Sequence, residues 1–434
     1  MIKMRPFQIG LLAAFAILGV TSVVMLASFN GFISGGENPY GNKVVIWGTL
    51  DKVVMLSTIQ DVRNEDDNFK VVDYLQKDSR TFEEELVNAI AEGRQPDAIV
   101  LASDDLVTYR AKLLPIPYES FTKRTLQDSY VDGAEIFARN DGLYAVPFLV
   151  DPMVMYWNRD LFSSGAVAIP PATWDALTDT VQKLTLRNAT RDIIQSTVAF
   201  GEFSNVQHAK EMLVTLLMQS GSQMVKESKE GYKVVLDQAQ TQDARQPLNA
   251  ALQFFTEFSN ANSPLYSWNR SQQDDLTAFL AEDLALYFGY GSELNKIREL
   301  NPNFNFDVAS VPQGSGATIY RVYGKFYGLA ILKSSSNPQG TYLAVQKLAS
   351  PETVSTISQS LSLAPVHRAT IASGTANAYW QTIFSSALVA RGWLDPDKGE
   401  SNTIMKQMVE DVVSNRQKVS GAVSDAVRRI ELAF

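Results

Sequence analysis

Acidic and aromatic side chains stand where several apolar runs end. Trp47 closes the run Lys43-Val-Val-Ile-Trp47 and Asp51 follows it, Asp104 and Asp105 follow Asp97-Ala-Ile-Val-Leu101, and Tyr290 follows Leu284–Phe288. If these runs are strands of an open α/β sheet, such side chains gather beyond the carboxyl ends of the strands, where ligands bind. The chemistry on offer is recognition of a small polar molecule, a sugar being the simplest case, although the same carboxylates would also serve an amine or a cation. Flat aromatic faces cover the C–H side of a sugar ring, while carboxylates and amides hydrogen-bond its hydroxyls. Bond-breaking chemistry has less to draw on. Cysteine is absent, which excludes disulfides, cysteine-based zinc sites, iron–sulfur clusters and thiol nucleophiles. His208 and His367 are the whole histidine complement, so no metal site and no cofactor is expected. No G-x-S-x-G, H-E-x-x-H, P-loop or complete G-x-G-x-x-G pattern occurs, and Gly314-Ser-Gly316 reads as a loop. A carbohydrate hydrolase would need two carboxylates about 5–10 Å apart, and the 47 acids supply pairs without singling one out.

Each candidate has a plainer reading beside it. Asp104 fits a helix cap, and Trp47 fits a core position. Trp157 and Trp174 fall within regular periodic segments and are expected to pack in the core.

The elements that would hold these residues alternate between strand and helix. After the first run, a helix is expected over Val53–Arg63 and a second strand over Phe69–Tyr74. Thr81 with Glu84 fits a capping box ahead of Phe82, Leu86, Ala89 and Ile90 on one helical face. Strands follow at Tyr144–Val150 and Val154–Trp157, on either side of Asp151-Pro152, and at Thr197–Phe200 and Phe326–Leu332. Helices are expected at Ala209–Gln219, Ser292–Leu300, Gln339–Ala349, Pro351–Ser360, Ala376–Ala390, Asn402–Val413 and Val423–Leu432. This alternation predicts a parallel or mixed sheet covered by helices.

The 434 residues, 45% hydrophobic and 20% charged, suit a folded chain of two or three domains. A net charge of −9 argues against nucleic-acid binding. The charge is unevenly placed. Lys3 and Arg5 precede a run from Pro6 to Gly36 with no charged residue. Its apolar centre, Ile9–Phe29, is long enough as a helix to cross a bilayer, and longer than the usual core of a secretory signal. The expectation is an uncleaved single-pass anchor with its N-terminus in the cytoplasm, the alternative being a cleaved signal. The portion outside would hold 47 acids against 36 bases.

Taken in order, several segments resemble one family: Val45-Ile-Trp-Gly48, Gln95-Pro-Asp-Ala-Ile-Val100, Tyr144-Ala-Val-Pro-Phe148, and Asp151-Pro-Met-Val-Met-Tyr-Trp-Asn-Arg-Asp-Leu-Phe162. Pro171-Ala-Thr-Trp-Asp-Ala-Leu177, Ala285-Leu-Tyr-Phe-Gly289, Ser292-Glu-Leu294, Asn301-Pro-Asn-Phe304 before Val311-Pro312, Tyr327-Gly-Leu-Ala330 and Val419-Ser-Gly-Ala-Val-Ser-Asp-Ala426 continue the series. Together, over about 390 residues, they resemble the extracellular solute-binding proteins of ABC importers, in the maltose-binding branch.

The resemblance implies an α/β, two-lobed periplasmic-binding-protein fold with a hinge and an inter-lobe cleft. The N-lobe would comprise 42–149 plus 312–368 and the C-lobe 153–309 plus 370–434, after the anchor and linker of 1–36. The hinge would pass near Val150-Asp151 and Ala309-Ser310. By the same resemblance, Asp51 and Asp104 match loops after the first and third strands, Asp151 an acidic hinge position, and Asn205 a loop before a C-lobe helix. Tyr290 matches an aromatic after a strand, and Trp393 a late aromatic contact. A monomer that captures a small polar solute, most simply a saccharide, and delivers it to the membrane subunits of an ABC permease is expected. A ligand-sensing ectodomain for a membrane partner is the alternative. The lipidation cysteine of many relatives is missing here, which leaves the N-terminal helix as the tether.

Overall fold

The computed structural model describes residues 38–221, 223–228, 231–238 and 246–434. The expected anchor, Ile9–Phe29, lies outside the described residues. Among those described, no helix is long and apolar enough to cross a membrane.

Three short strands, β1 (Val44–Gly48), β2 (Val72–Gln76) and β3 (Ala98–Ala102), form a parallel set with β1 in the middle. β1 and β3 are nearly all apolar because they are covered on both faces. A long strand, β4 (Val146–Asn158), crosses the centre of the molecule, followed by β5 (Ile193–Val198), β6 (Leu284–Tyr290), β7 (Phe306–Ala309) and β8 (Val322–Ile331). The sheet order is β2-β1-β3-β8-β4-β6-β5, with β7 paired to β4 off this path. β8 runs antiparallel to β3 and to β4, and β6 runs parallel to β5.

The neighbours of β4 change part-way along it. Up to Pro152 it pairs with β8, and at Leu149–Val150 also with the short strand Ala364–Pro365. From Met153 it pairs with β6 and, from Met155, with β7. The sequence reading expected two strands separated at Asp151-Pro152; the structure has one of 13 residues. Proline breaks a strand by lacking an N–H, but here it falls where one set of partners hands over to the next. Its carbonyl still accepts Gly291 N–H at 2.9 Å.

Other differences have local causes. Helix α1 (Lys52–Glu65) forms as expected, but Phe69 lies in a 3₁₀ turn, Asp67–Val71, before β2 begins. Helix α2 (Phe82–Ala91) has no capping box: Thr81 makes no side-chain cap and its hydroxyl donates to Glu85 instead. Helix α3 (Ala209–Gln219) matches its expected span, and α4 (Glu293–Leu300) begins one residue later. The helix expected from Asn402 starts earlier, as α5 (Lys398–Val413), because the Asp397 carboxylate caps Gly399 and Glu400 N–H at 2.9 and 2.8 Å. The helix Pro247–Glu257 was not anticipated. Its first amides are capped by Asp237, ten or more residues upstream, so the usual local signal is missing. Trp157 and Trp174 are partly buried and pack against the core.

Candidate functional site

The site is built from the end of β3. Ser103 turns the chain after this strand, and its hydroxyl accepts Phe326 N–H of β8 at 3.1 Å, pinning the turn to the neighbouring strand. That holds Asp104 at 7% exposure, with Oδ2 3.6 Å from Lys325 Nζ of β8 and Oδ1 buried without a partner. The Asp104 charge holds the Lys325 ammonium above its usual range, against the opposing effect of burial. The same Nζ lies 5.3 Å from the ring centroid of Tyr290, the last residue of β6. Lys325 therefore joins the end of β3 to the end of β6. The Tyr290 hydroxyl is buried beside Tyr323 and, like Asp104 Oδ1, makes no hydrogen bond of ordinary length.

Behind Tyr290 a buried network fixes the ring. His208 meets it edge-on, with centroids 4.9 Å apart, and His208 Nε2 lies 2.9 Å from Glu293 Oε1. The other Glu293 oxygen accepts the Tyr287 hydroxyl at 2.7 Å. Burial disfavours the imidazolium of His208, but Glu293 outweighs it and the net shift is upward. Asp151, at the handover in β4, accepts Ser292 N–H at 3.0 Å just before α4. Burial raises its carboxyl to about 7.

The start of α5 closes over this region. Lys398 Nζ reaches Asp105 at 2.8 Å, and buried Lys210 of α3 bonds Asp395 at 2.8 Å and Ser401 at 3.2 Å. Burial and the neighbouring Asp104 charge raise the Asp105 carboxyl, partly offset by Lys398. A groove of about 430 Å³ lies here, bordered by Thr49, Phe82, Asp104, Tyr109, Lys325 and Lys398.

A second, wider groove of about 800 Å³ is bordered by Asp132, Arg139, Glu227, Arg391 and Trp393. It adjoins Gly133, whose Cα packs against the Phe326 ring. Side chains alternate along a strand, so Phe326 points away from the face on which Lys325 and Tyr327 border the smaller groove. The ends of β1 and β3 open into the smaller one, which makes it the ligand-site candidate despite its size.

The expected residues divide accordingly. Asp104 borders the smaller groove, and Tyr290 and Asp151 are buried beside it through Lys325 and Ser292. Trp393, 2% exposed, borders the wider groove, and its indole N–H has no partner. Asp51 is exposed and caps α1 through Val54 N–H at 3.0 Å. Trp47 is 8% exposed with Lys77 Nζ 3.8 Å from its ring centroid. The Asn205 amide is committed to scaffold: it donates to Asn269 and Gln272 carbonyls and accepts the Trp268 indole N–H. Sequence reasoning missed Lys325 and Lys398. The signal for Lys325 was a lone charge inside the otherwise apolar run Val322–Ile331.

Residues 61–383 match the family described as bacterial extracellular solute-binding protein. The chain belongs to that family. No curated protein matches the chain. Among solved structures, the solute-binding protein is similar to a cyclo/maltodextrin-binding protein complexed with maltotetraose, at 16% identity and a TM-score of 0.72, covering 92% of this chain and 98% of that one. It is similar to the sugar-binding protein MalE of Xanthomonas citri at 18% identity and a TM-score of 0.72, covering 90% and 97%. A third, CpMnBP1 with mannotriose bound, matches at 18% identity and a TM-score of 0.65, covering 89% and 99%. These superpositions establish the shared fold. The relatives are binding proteins, and this chain is a solute-binding protein and not an enzyme.

Proposed function

We propose that the protein captures a saccharide in the groove beyond β1 and β3 and presents it to an ABC permease. The observation that carries this reading is a pair of buried polar atoms without a hydrogen bond of ordinary length, Asp104 Oδ1 and Tyr290 Oη, on strand ends from opposite sides of the β4 handover, joined through Lys325. An orphaned buried polar atom costs about 1–3 kcal/mol. Both would be satisfied by ligand hydroxyls, one donating to the carboxylate and one accepting from the phenol. The lobes are 42–149 plus 312–368 and 153–309 plus 370–434, with hinges at Val150-Asp151 and Ala309-Ser310. Ligand contacts to both lobes bias the hinge toward closure. Asp104, Tyr290 and Asp151 are the central contacts, with Lys325 between them. Trp47, Asp51, Asn205 and Trp393 do not border this groove. The maltotetraose and mannotriose bound in two of the similar structures support the saccharide class. The family supports a place outside the cytoplasm, held at the membrane by Ile9–Phe29.

The test is calorimetric titration of the full-length protein with malto- and manno-oligosaccharides, amino acids and polyamines. Saturable heat with an unmodified saccharide is expected. Binding of amino acids or polyamines with no response to any saccharide rejects the reading.

A further inference from the structure

Carboxylates in a binding groove suit two kinds of ligand. They accept hydrogen bonds from hydroxyls, and they pair with ammonium groups. The pairing around this groove separates the two. Asp104 has Lys325 at 3.6 Å, Asp105 has Lys398 at 2.8 Å, and Asp395, behind the start of α5, has Lys210 at 2.8 Å. The aromatic faces at the strand ends, which also attract cations, have resident ammonium groups of their own. Lys325 Nζ stands 5.3 Å from the Tyr290 ring centroid and Lys77 Nζ 3.8 Å from that of Trp47.

Lys325 is the more buried of the two lysines that border the groove. It sits in the middle of a central strand with its side chain 28% exposed, among apolar and glycine neighbours. A methionine there would fill the same space without desolvating a charge. What the ammonium adds is a charge held between Asp104 and Tyr290, where a ligand amine would otherwise sit.

We infer that the groove selects against cationic solutes, and that Lys325 is the residue that sets this preference. The inference rests on the saccharide reading and narrows it: the solute carries hydroxyls and no amine at the Asp104 position. An incoming ammonium meets Lys325 and Lys398 at close range, and at Asp104 and Asp105 it finds carboxylates that already face a lysine; Glu83, farther along the groove, is left to hold a cation only away from that centre. A neutral sugar needs only the remaining lone pairs of Asp104. Discrimination of this kind depends on a repulsive group as much as on an attractive one.

The experiment measures dissociation constants by calorimetry at pH 7 and fixed salt, on the full-length protein and its Lys325→Met variant. The probes are maltotriose, mannotriose, a glucosamine trimer and spermidine. The expected result is that the unmodified protein binds a neutral trisaccharide and binds the glucosamine trimer at least about tenfold more weakly, tenfold corresponding to about 1.4 kcal/mol. Lys325→Met is expected to bind the glucosamine trimer or spermidine about tenfold more tightly than the unmodified protein does. Lys398→Met, at a half-exposed position, is expected to shift the preference the same way by a few-fold and serves if the first variant does not fold. Equal binding of the glucosamine and neutral trimers by the unmodified protein overturns the inference. So does an unchanged amine preference in the folded variants. If the unmodified protein binds no saccharide, the saccharide reading fails; spermidine binding with and without Lys325 then still decides the role of the lysine.

Discussion

At the scale of single residues, the Tyr290 hydroxyl and the Asp104 carboxylate are where structure and function pull apart. The hydroxyl is buried and makes no hydrogen bond of ordinary length, so removing it relieves a polar group that the fold does not satisfy. Tyr290→Phe is expected to leave thermal stability unchanged or slightly higher while weakening solute binding about tenfold, the worth of one good hydrogen bond. A melt and a titration on the same preparation check both halves. Asp104→Ala removes the charge facing Lys325 and leaves that ammonium unpaired, so a loss in both stability and affinity is expected. Asp151 supplies a pH signature. Burial raises its carboxyl from 3.8 to about 7, so between those values the folded state holds a proton that the unfolded chain has released. Stability then falls as pH rises through that window. Asp151→Asn is expected to flatten part of this slope in urea unfolding measured from pH 4.5 to 7.5. An identical slope in the variant would show that Asp151 does not titrate there. Asp104 and Tyr290 were legible in the sequence because each follows an apolar run. Lys325 was not, because a charge inside a strand reads as an irregularity until its partner across the sheet is known.

At the scale of elements, the strand pair β4–β8 carries the handover between the two halves of the sheet. Gly324 faces Pro152 in this register, and a Cβ there would lie 2.8 Å from Ala390 Cβ and 3.2 Å from Val150 Cγ2. Gly324→Val is expected to cost about 1–3 kcal/mol by overpacking, read as a lower denaturant midpoint. Gly314→Ala, with nothing within 4 Å of its would-be Cβ, is the tolerated control. The start of α5 depends on its cap: Asp397→Ala is expected to cost about 1 kcal/mol and to loosen Lys398 from Asp105. Most strands and helices were visible from apolar runs, hydrophobic periodicity and breakers. The misses share a cause. The cap of the helix Pro247–Glu257 comes from Asp237, and the continuity of β4 through Pro152 depends on partners more than 100 residues away. Local pattern carries neither.

For the whole molecule, the prediction concerns closure. Ligand contacts to both lobes are expected to compact the protein, seen as a smaller radius of gyration in solution scattering on adding a saturating saccharide. The melting temperature should rise with saccharide concentration, with about 2.7 kcal/mol of stabilisation at a hundredfold excess over Kd. Tight binding with unchanged scattering would rule out hinge closure. Sequencing the mature N-terminus decides the tether: a chain beginning beyond Gly36 would show that Ile9–Phe29 is removed.

The order of most strands and helices, the lack of cysteine, the acidic character and the family were legible in the sequence alone, because composition, periodicity and motif order are properties of a line of residues. Tertiary structure decided which of the acids and aromatics meet. Asp104, Asp151, Tyr290 and Lys325 are scattered over 222 positions, and only the pairing of β8 with β3 and β4, together with that of β4 with β6, brings them together. It also showed that Asp104 and Asp105, at the centre of the groove, already have lysines beside them, a fact that charge counts cannot express.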